Sequence, residues 1–254
     1  MKRTIFPFLR LTLFMLAFAM ALTFVSFWCL SVHRSIDEMP TGIQKKEVYP
    51  TLTIVLDPGH GGEDGGAAVD GILEKELNLS ICEKIKTLFA LSGYPVCMTR
   101  TEDKLLYEPG EESRKKYYDL VHRAEFASSF ENALFISIHQ NKFEIPKYKG
   151  LQVYYSHNHP LSEAFAVCIQ TNMRTHLDPA NHREIKKADH RIRVLSTLEM
   201  PAVLVECGFL SNPEEAARLT SEAYQKKLAY ILFLSTLQFI EFNEFSEENG
   251  ESLS

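Results

Sequence analysis

The chain has 254 residues, 45% hydrophobic and 24% charged, enough for one main folded domain with additions. Its net charge of -6 and pI near 5.9 exclude the basic footprint of a nucleic-acid-binding protein. The five cysteines (29, 82, 97, 168, 207) form no CxxC pair, and the last four fall in apolar runs, so buried free thiols are expected rather than disulfides or a thiolate metal site.

In chain order, Lys2, Arg3 and Arg10 precede an uncharged stretch of 22 residues, Leu11 to Val32. At about 1.5 Å per residue this reaches across a hydrocarbon core of about 30 Å. A cleaved secretory signal is the alternative. Trp28 precedes Cys29 where a lipoprotein signal wants a small residue, and no small-x-small site precedes His33. An uncleaved membrane anchor over residues 1–32 is the reading favoured, with the basic flank inside and the rest of the chain outside the cytoplasm. Residues 33–50, with Pro40, Gly42 and Pro50, read as a linker.

From residue 51 to 242 strands alternate with helices. Thr53 to Leu56 is a short β-branched and aliphatic strand that breaks into Asp57-Pro58-Gly59-His60-Gly61-Gly62, a tight loop. Leu77, Ile81, Ile85, Leu88 and Phe89 predict a helix that begins near Glu74 to Glu76, and Val96 to Thr99 a second strand. Leu120, Ala124, Ala127 and Phe130 mark another helix, Ala133 to His139 a strand, Gly150 to Tyr155 another, and Leu161 to Ile169 a helix. Ile192 to Leu195 and Ala202 to Glu206 read as further strands. Asn212-Pro213 is a helix start, and a last helix spans Tyr224 to Phe242. The pattern predicts an α/β fold: a mostly parallel twisted sheet of about six strands, with helices on both faces. Glutamates without bases mark 243–254 as a disordered acidic tail.

Three strands end in a polar group, His60, His139 and Glu206, and parallel strands share one carboxyl edge, where open α/β sheets place their chemistry. Glu74 follows His60 across a loop with five glycines, supple enough to fold the carboxylate back. His60, Glu74 and His139 would make a three-ligand zinc set with a fourth position open for water. Glu206 ends the apolar run Ala202-Val203-Leu204-Val205, where burial raises a carboxylate's pKa toward a range useful for moving protons. It reads equally as a general base and acid or as a capping or salt-bridged glutamate. Arg100 either orients substrate or forms a structural salt bridge. Asn141 lies close enough to His139 in sequence to touch substrate or a water behind the site. Neither a P-loop lysine nor an HExxH helix is present.

DPGHGGEDGGA (57–67), Glu74-Lys75 with Asn78-Leu79, Met98-Thr99-Arg100, FISIH (135–139) and VLVECGFLSNPEE (203–215) resemble the zinc-dependent N-acetylmuramoyl-L-alanine amidases. The resemblance covers about residues 52–242. It implies zinc ligands at His60, Glu74 and His139, a catalytic glutamate at Glu206, and peptidoglycan as substrate. The finer likeness is to the sporulation-type, CwlD-like branch. It rests on the amino-terminal apolar segment, the Pro109-Gly110 region leading to Ser113-Arg114-Lys115-Lys116, and the short stretch between His139 and Glu206. That branch implies peptide removal from muramic acid so that muramic δ-lactam can form in spore cortex, and it includes members that depend on a partner lipoprotein. Gln140-Asn141 departs from the family, which more often has a small residue after the histidine. Two other readings stand beside this one: a catalytically silent peptidoglycan-binding scaffold, and a zinc carboxypeptidase acting on the stem peptide.

Overall fold

The computed structural model describes residues 52–250, with side chains to residue 243, together with Met20 and Thr23, both helical. The remainder of the expected anchor and linker, and residues 251–254, lie outside the described residues. Among the described residues no helix is long and apolar enough to cross a membrane.

A six-stranded sheet forms the centre. Its strands are β1 (Thr53–Pro58), β4 (Val96–Met98), β5 (Ala133–Asn141), β6 (Gln152–Tyr155), β7 (Lys186–Lys187) and β8 (Ala202–Phe209), in the order β4-β1-β5-β8-β6-β7. All neighbours pair parallel except β6 with β8, so the expected mostly parallel sheet is present. Side chains alternate cleanly across it. Ile54, Leu56, Ile136, Ile138, Val203 and Val205 face one apolar layer, and Val55, Phe135 and Leu204 face the other. This is the period-two signature of strands buried on both sides.

Helices α1 (Glu74–Leu91), α3 (Leu161–His176) and α6 (Glu222–Gly250) fill the larger layer. Phe89 of α1 meets Phe233 of α6 edge to face at 5.0 Å, and Phe165 of α3 stacks on Phe239 at 4.6 Å. Helices α2 (Lys115–Ser128) and α4 (Arg193–Thr197) cover the opposite face. Helix α5 (Pro213–Leu219) starts as its sequence demands: Asn212 Oδ1 accepts from the amides of Glu214 and Glu215, each at 3.1 Å, ahead of Pro213.

Three expectations are corrected. Ile192 to Leu195, read as a strand, opens helix α4; its buried residues Val194 and Leu195, with Leu198 just past its end, fall at helical spacing, which so short an apolar run cannot disclose alone. The glycine-rich loop contains a small antiparallel hairpin, β2 (Ala68–Val69) with β3 (Ile72–Leu73). Its turn is Asp70-Gly71, both at positive φ, the turn chemistry that suits two-residue hairpins. Finally, α6 runs to Gly250, past Phe242, where the last helix was expected to end. Glutamate and phenylalanine are compatible with a helix, and no breaker precedes Gly250. The four described cysteines are free, Cys82 and Cys207 buried, Cys97 and Cys168 half-buried.

A buried ionic knot fixes the end of β1. Arg123, 1% exposed, donates to Asp57 Oδ1 at 2.7 Å, Asp119 Oδ2 at 2.8 Å, and the carbonyls of Pro58 (2.9 Å) and His60 (2.7 Å). Burial alone would raise the Asp57 carboxyl; the Arg123 charge and the hydrogen bonds from Ser137, Thr99 and Arg123 outweigh it and hold the group below the usual carboxylate range. Removing Arg123 would strand two buried carboxylates, so Arg123→Met is expected to cost about 3–5 kcal/mol in chemical denaturation near neutral pH. Because the folded pKa of Asp57 is depressed, its contribution is complete above the unfolded value near 3.8 and disappears as the pH falls through the folded one. The gap between wild type and variant should therefore narrow in acid. A gap that stayed constant into strong acid would remove Asp57 from the explanation.

Candidate metal centre and its cavity

The parallel strands bring their ends together at one edge. His139 and Glu206 are register partners on adjacent strands, and Pro58, two residues before His60, pairs with Ile138. By alternation His139 and Glu206 point to the face covered by α2 and α4. Glu74 comes from the first residue of α1, near the positive end of the helix dipole, and is 3% exposed. Its Oε1 lies 3.2 Å from His60 Nε2 and 2.9 Å from His139 Nδ1. Ligand atoms of His60, Glu74 and His139 all lie within 4.8 Å of one another, a group that could hold a metal ion. The structure thus brings together all three residues expected to form the set.

His60 and Glu74 are oriented from behind. His60 Nδ1 lies 2.8 Å from Asp64 Oδ2, leaving Nε2 for the centre, the carboxylate–histidine arrangement common at metal sites. Glu74 Oε2 accepts from the Ala67 amide at 2.7 Å, and Oε1 accepts from the Gln140 amide at 3.0 Å and Asn78 Nδ2 at 3.4 Å. His60 itself sits at φ 63, an uncommon conformation for a non-glycine residue and one that clusters at functional sites. Close approach is what the glycines permit. A Cβ on Gly59 would collide with the His139 ring, and one on Gly66, at φ +67, would meet Glu74 Oε2 at 2.5 Å and His60 Cδ2 at 2.7 Å.

The protonation chemistry fits exchange of protons for a cation. Burial would lower the His60 pKa, but its hydrogen bonds with Asp64 and Glu74 raise it to about 9. Burial would raise Glu74, yet the hydrogen bonds with His139 and His60 pull it far below the usual carboxylate range. A metal that displaced these protons would take over the same electrostatic role.

Glu206 differs in kind. It is half-buried overall, but its Oε2 is fully enclosed and has no hydrogen-bond partner. Burial pushes its pKa up, His139 and His60 pull it down and Glu74 pushes it up, for a value of about 7. It lines a cavity of about 240 Å³ together with His60, His139, Asp64 and residues of α2 and α4. An orphaned carboxylate oxygen in the cavity that two imidazoles also line, with a second carboxylate between those imidazoles, fits a divalent cation at the His–Glu–His group and a water beside it. The capping and salt-bridge alternatives for Glu206 find no partner among the described residues.

Arg100 is corrected. Only 2% exposed, it donates to the carbonyls of Pro58 (2.9 Å), Gly59 (3.1 Å), Lys75 (2.8 Å) and Glu102 (3.1 Å). It clamps the strand-end loop to α1, and the salt bridge considered for it is not formed among the described residues. Asn141 lies beyond a bulge in β5, outside the residues lining the cavity; its carbonyl accepts from the Leu210 amide at 2.8 Å. Gln140 turns away from the site, its Nε2 donating to Asn78 Oδ1 at 3.1 Å. Residues not anticipated from sequence are Asp64, Asn78, Asp119 and Arg123. Asp64 carried a signal, an acid four residues after a candidate ligand histidine.

A parallel sheet that gathers a His–Glu–His group at its carboxyl edge, with an unpartnered carboxylate in the adjoining cavity, has the parts of a metal-assisted hydrolase. Residues 54–234 match the N-acetylmuramoyl-L-alanine amidase family (Amidase_3), and the chain belongs to that family. It is 36% identical over 188 residues to the germination-specific N-acetylmuramoyl-L-alanine amidase of Bacillus subtilis (strain 168), covering 73% of this chain and 78% of that one. The CwlD amidase of Clostridioides difficile, solved in complex with the GerS lipoprotein, superposes with a TM-score of 0.72 at 37% identity over 75% of this chain and 98% of that chain. The amidase AmiC2 of Nostoc punctiforme superposes with a TM-score of 0.65 at 30% identity, covering 75% and 98%. These similarities support the CwlD-like branch, and the chain is a cell-wall N-acetylmuramoyl-L-alanine amidase.

Proposed function

We propose that the enzyme hydrolyses the amide between the lactyl group of N-acetylmuramic acid and the L-alanine of the stem peptide, with zinc held by His60, Glu74 and His139 and with Glu206 as the proton carrier. The observation that carries this reading is the enclosed, unpartnered Oε2 of Glu206 in the cavity that His60 and His139 also line. Two imidazoles and one carboxylate suit zinc, which when bound supplies a Lewis acid for the carbonyl and lowers the pKa of water to about 7. Asp64 fixes the His60 ring, and the Ala67 and Gln140 amides fix the Glu74 carboxylate, so the donors need little rearrangement. Glu206 takes a proton from the water whose oxygen joins the lactyl carbonyl carbon. As the carbon–nitrogen bond breaks, it delivers that proton to the alanine nitrogen, leaving a lactyl carboxyl and a free amine.

The biological setting follows from the branch: peptide removal on the way to muramic δ-lactam in spore cortex, with the catalytic domain outside the cytoplasmic membrane. The apolar stretch 11–32 and the linker 33–50 suit an anchored enzyme acting on a polymer beyond the bilayer. A lipoprotein partner is part of this proposal, by analogy with the CwlD–GerS complex.

A digest of purified peptidoglycan, read by mass spectrometry, tests the bond assignment. Glycan strands free of peptide and stem peptides with a free L-alanine amine are expected. Release of single amino acids would indicate a carboxypeptidase instead, and an unaltered polymer would indicate a silent scaffold. Gly66→Ala is expected to weaken zinc affinity about 10–100-fold in chelator competition, the scale of losing a ligand's supporting contacts, because its Cβ displaces both Glu74 and His60. Unchanged affinity would show that the loop yields freely.

A further inference from the structure

The cavity that Glu206 lines also carries a rim of cations, Lys116, Arg191 and Arg193. Its apolar lining includes Ile192, Val194 and Leu204. Such a rim is unexpected on a chain with a net charge of -6. The acids of the same cavity are already matched: Asp57 and Asp119 by Arg123, and Asp64 by His60 and by Lys116 at 3.1 Å. Arg191 is paired with Asp189 at 2.6 Å. Arg193 is exposed and makes no ion pair among the described residues.

Its position is nonetheless fixed. The Arg193 guanidinium carbon lies 4.4 Å from the centre of the Tyr117 ring, and that of Arg114 lies 4.0 Å from the same ring, so the tyrosine carries two cations. Stacking of this kind orients a guanidinium while leaving its N–H fork free for a carboxylate. A cavity of about 240 Å³ has room for a short piece of peptide beside Glu206. Glu206 and Arg193 line this one cavity, so a peptide whose amide is at Glu206 shares it with the Arg193 guanidinium.

We propose that Arg193, held on Tyr117, reads a free carboxylate of the stem peptide and so decides which peptides are removed. The glycan side of the scissile amide is uncharged apart from its own substituents, whereas the stem peptide carries carboxylates, and only the latter answer a cationic rim. The proposal rests on the amidase reading given above.

The test uses the full-length, zinc-loaded enzyme and two muropeptides that differ only in whether the stem-peptide carboxylates are free or converted to carboxamides. The unsubstituted enzyme is expected to prefer the free acids by about 10-fold or more in kcat/KM, equivalent to about 1.4 kcal/mol. Arg193→Gln should bring that ratio below about 3, and Arg193→Lys should restore part of it by returning the charge. Because both substrates are measured on one sample, a partly unfolded variant leaves the ratio unaffected. A wild-type ratio near 1, or a preference that survives Arg193→Gln intact, would overturn the proposal. Failure of the amidase reading would look different: the unsubstituted enzyme would cut neither substrate, and the proposal would fall with it.

Discussion

Glu206→Gln is expected to lose muropeptide cleavage by about 10³–10⁴-fold, at the upper end of what a positioned proton carrier contributes, while zinc content stays at one ion per chain. The substitution keeps the size of the side chain and removes only its capacity to take and return a proton. Glu206 lies outside the His60–Glu74–His139 group, so metal uptake has no reason to change. Its enclosed oxygen makes no hydrogen bond in the structure, and the fold loses no contact there. Thermal stability should therefore be equal to or above that of wild type, since a buried, unpaired carboxylate is itself a cost. Turnover and zinc content measured on the same preparation check both halves. Retained turnover would remove Glu206 from the proton path.

His139→Ala should act through the opposite route, with metal and activity lost together. The ring supplies one of three ligand atoms, and the two that remain leave an incomplete set for a structural or catalytic zinc site. The loss of affinity should exceed the 10–100-fold typical of supporting residues such as Asp64, which only orients the His60 ring. Elemental analysis after dialysis would check it; normal zinc content in His139→Ala would take that residue out of the set. The pairing of these two variants separates the ion from the proton carrier.

Much of the site was legible from sequence because parallel strands impose it. His60, His139 and Glu206 each end an apolar run, and shared strand direction forces such ends to one edge. Glu74 was legible through the glycines before it, although the hairpin at Asp70-Gly71 was hidden within them. The main-chain contacts of Arg100 were not legible, because a strand-end arginine looks the same in sequence whether it meets a carboxylate or the carbonyls of a buried loop such as Pro58-Gly59. Arg123 and Asp119 lie on a helix face, and nothing in their spacing shows that they close over Asp57. Helix α4 was missed because three apolar residues in a run of four fit a strand or a helix turn equally, and packing against the sheet chooses. The last helix outran its expected end because acidic composition favours solvation without forbidding helix.

The most direct measurement is an anomalous-scattering map from a crystal of the zinc-loaded enzyme, collected at the zinc edge. One peak is predicted within about 2.0–2.2 Å of His60 Nε2, a Glu74 oxygen and His139 Nδ1, with Glu206 facing its open side and not bonded to it. A peak coordinated by other side chains, or none at this group in a protein that still cleaves muropeptides, would contradict the account.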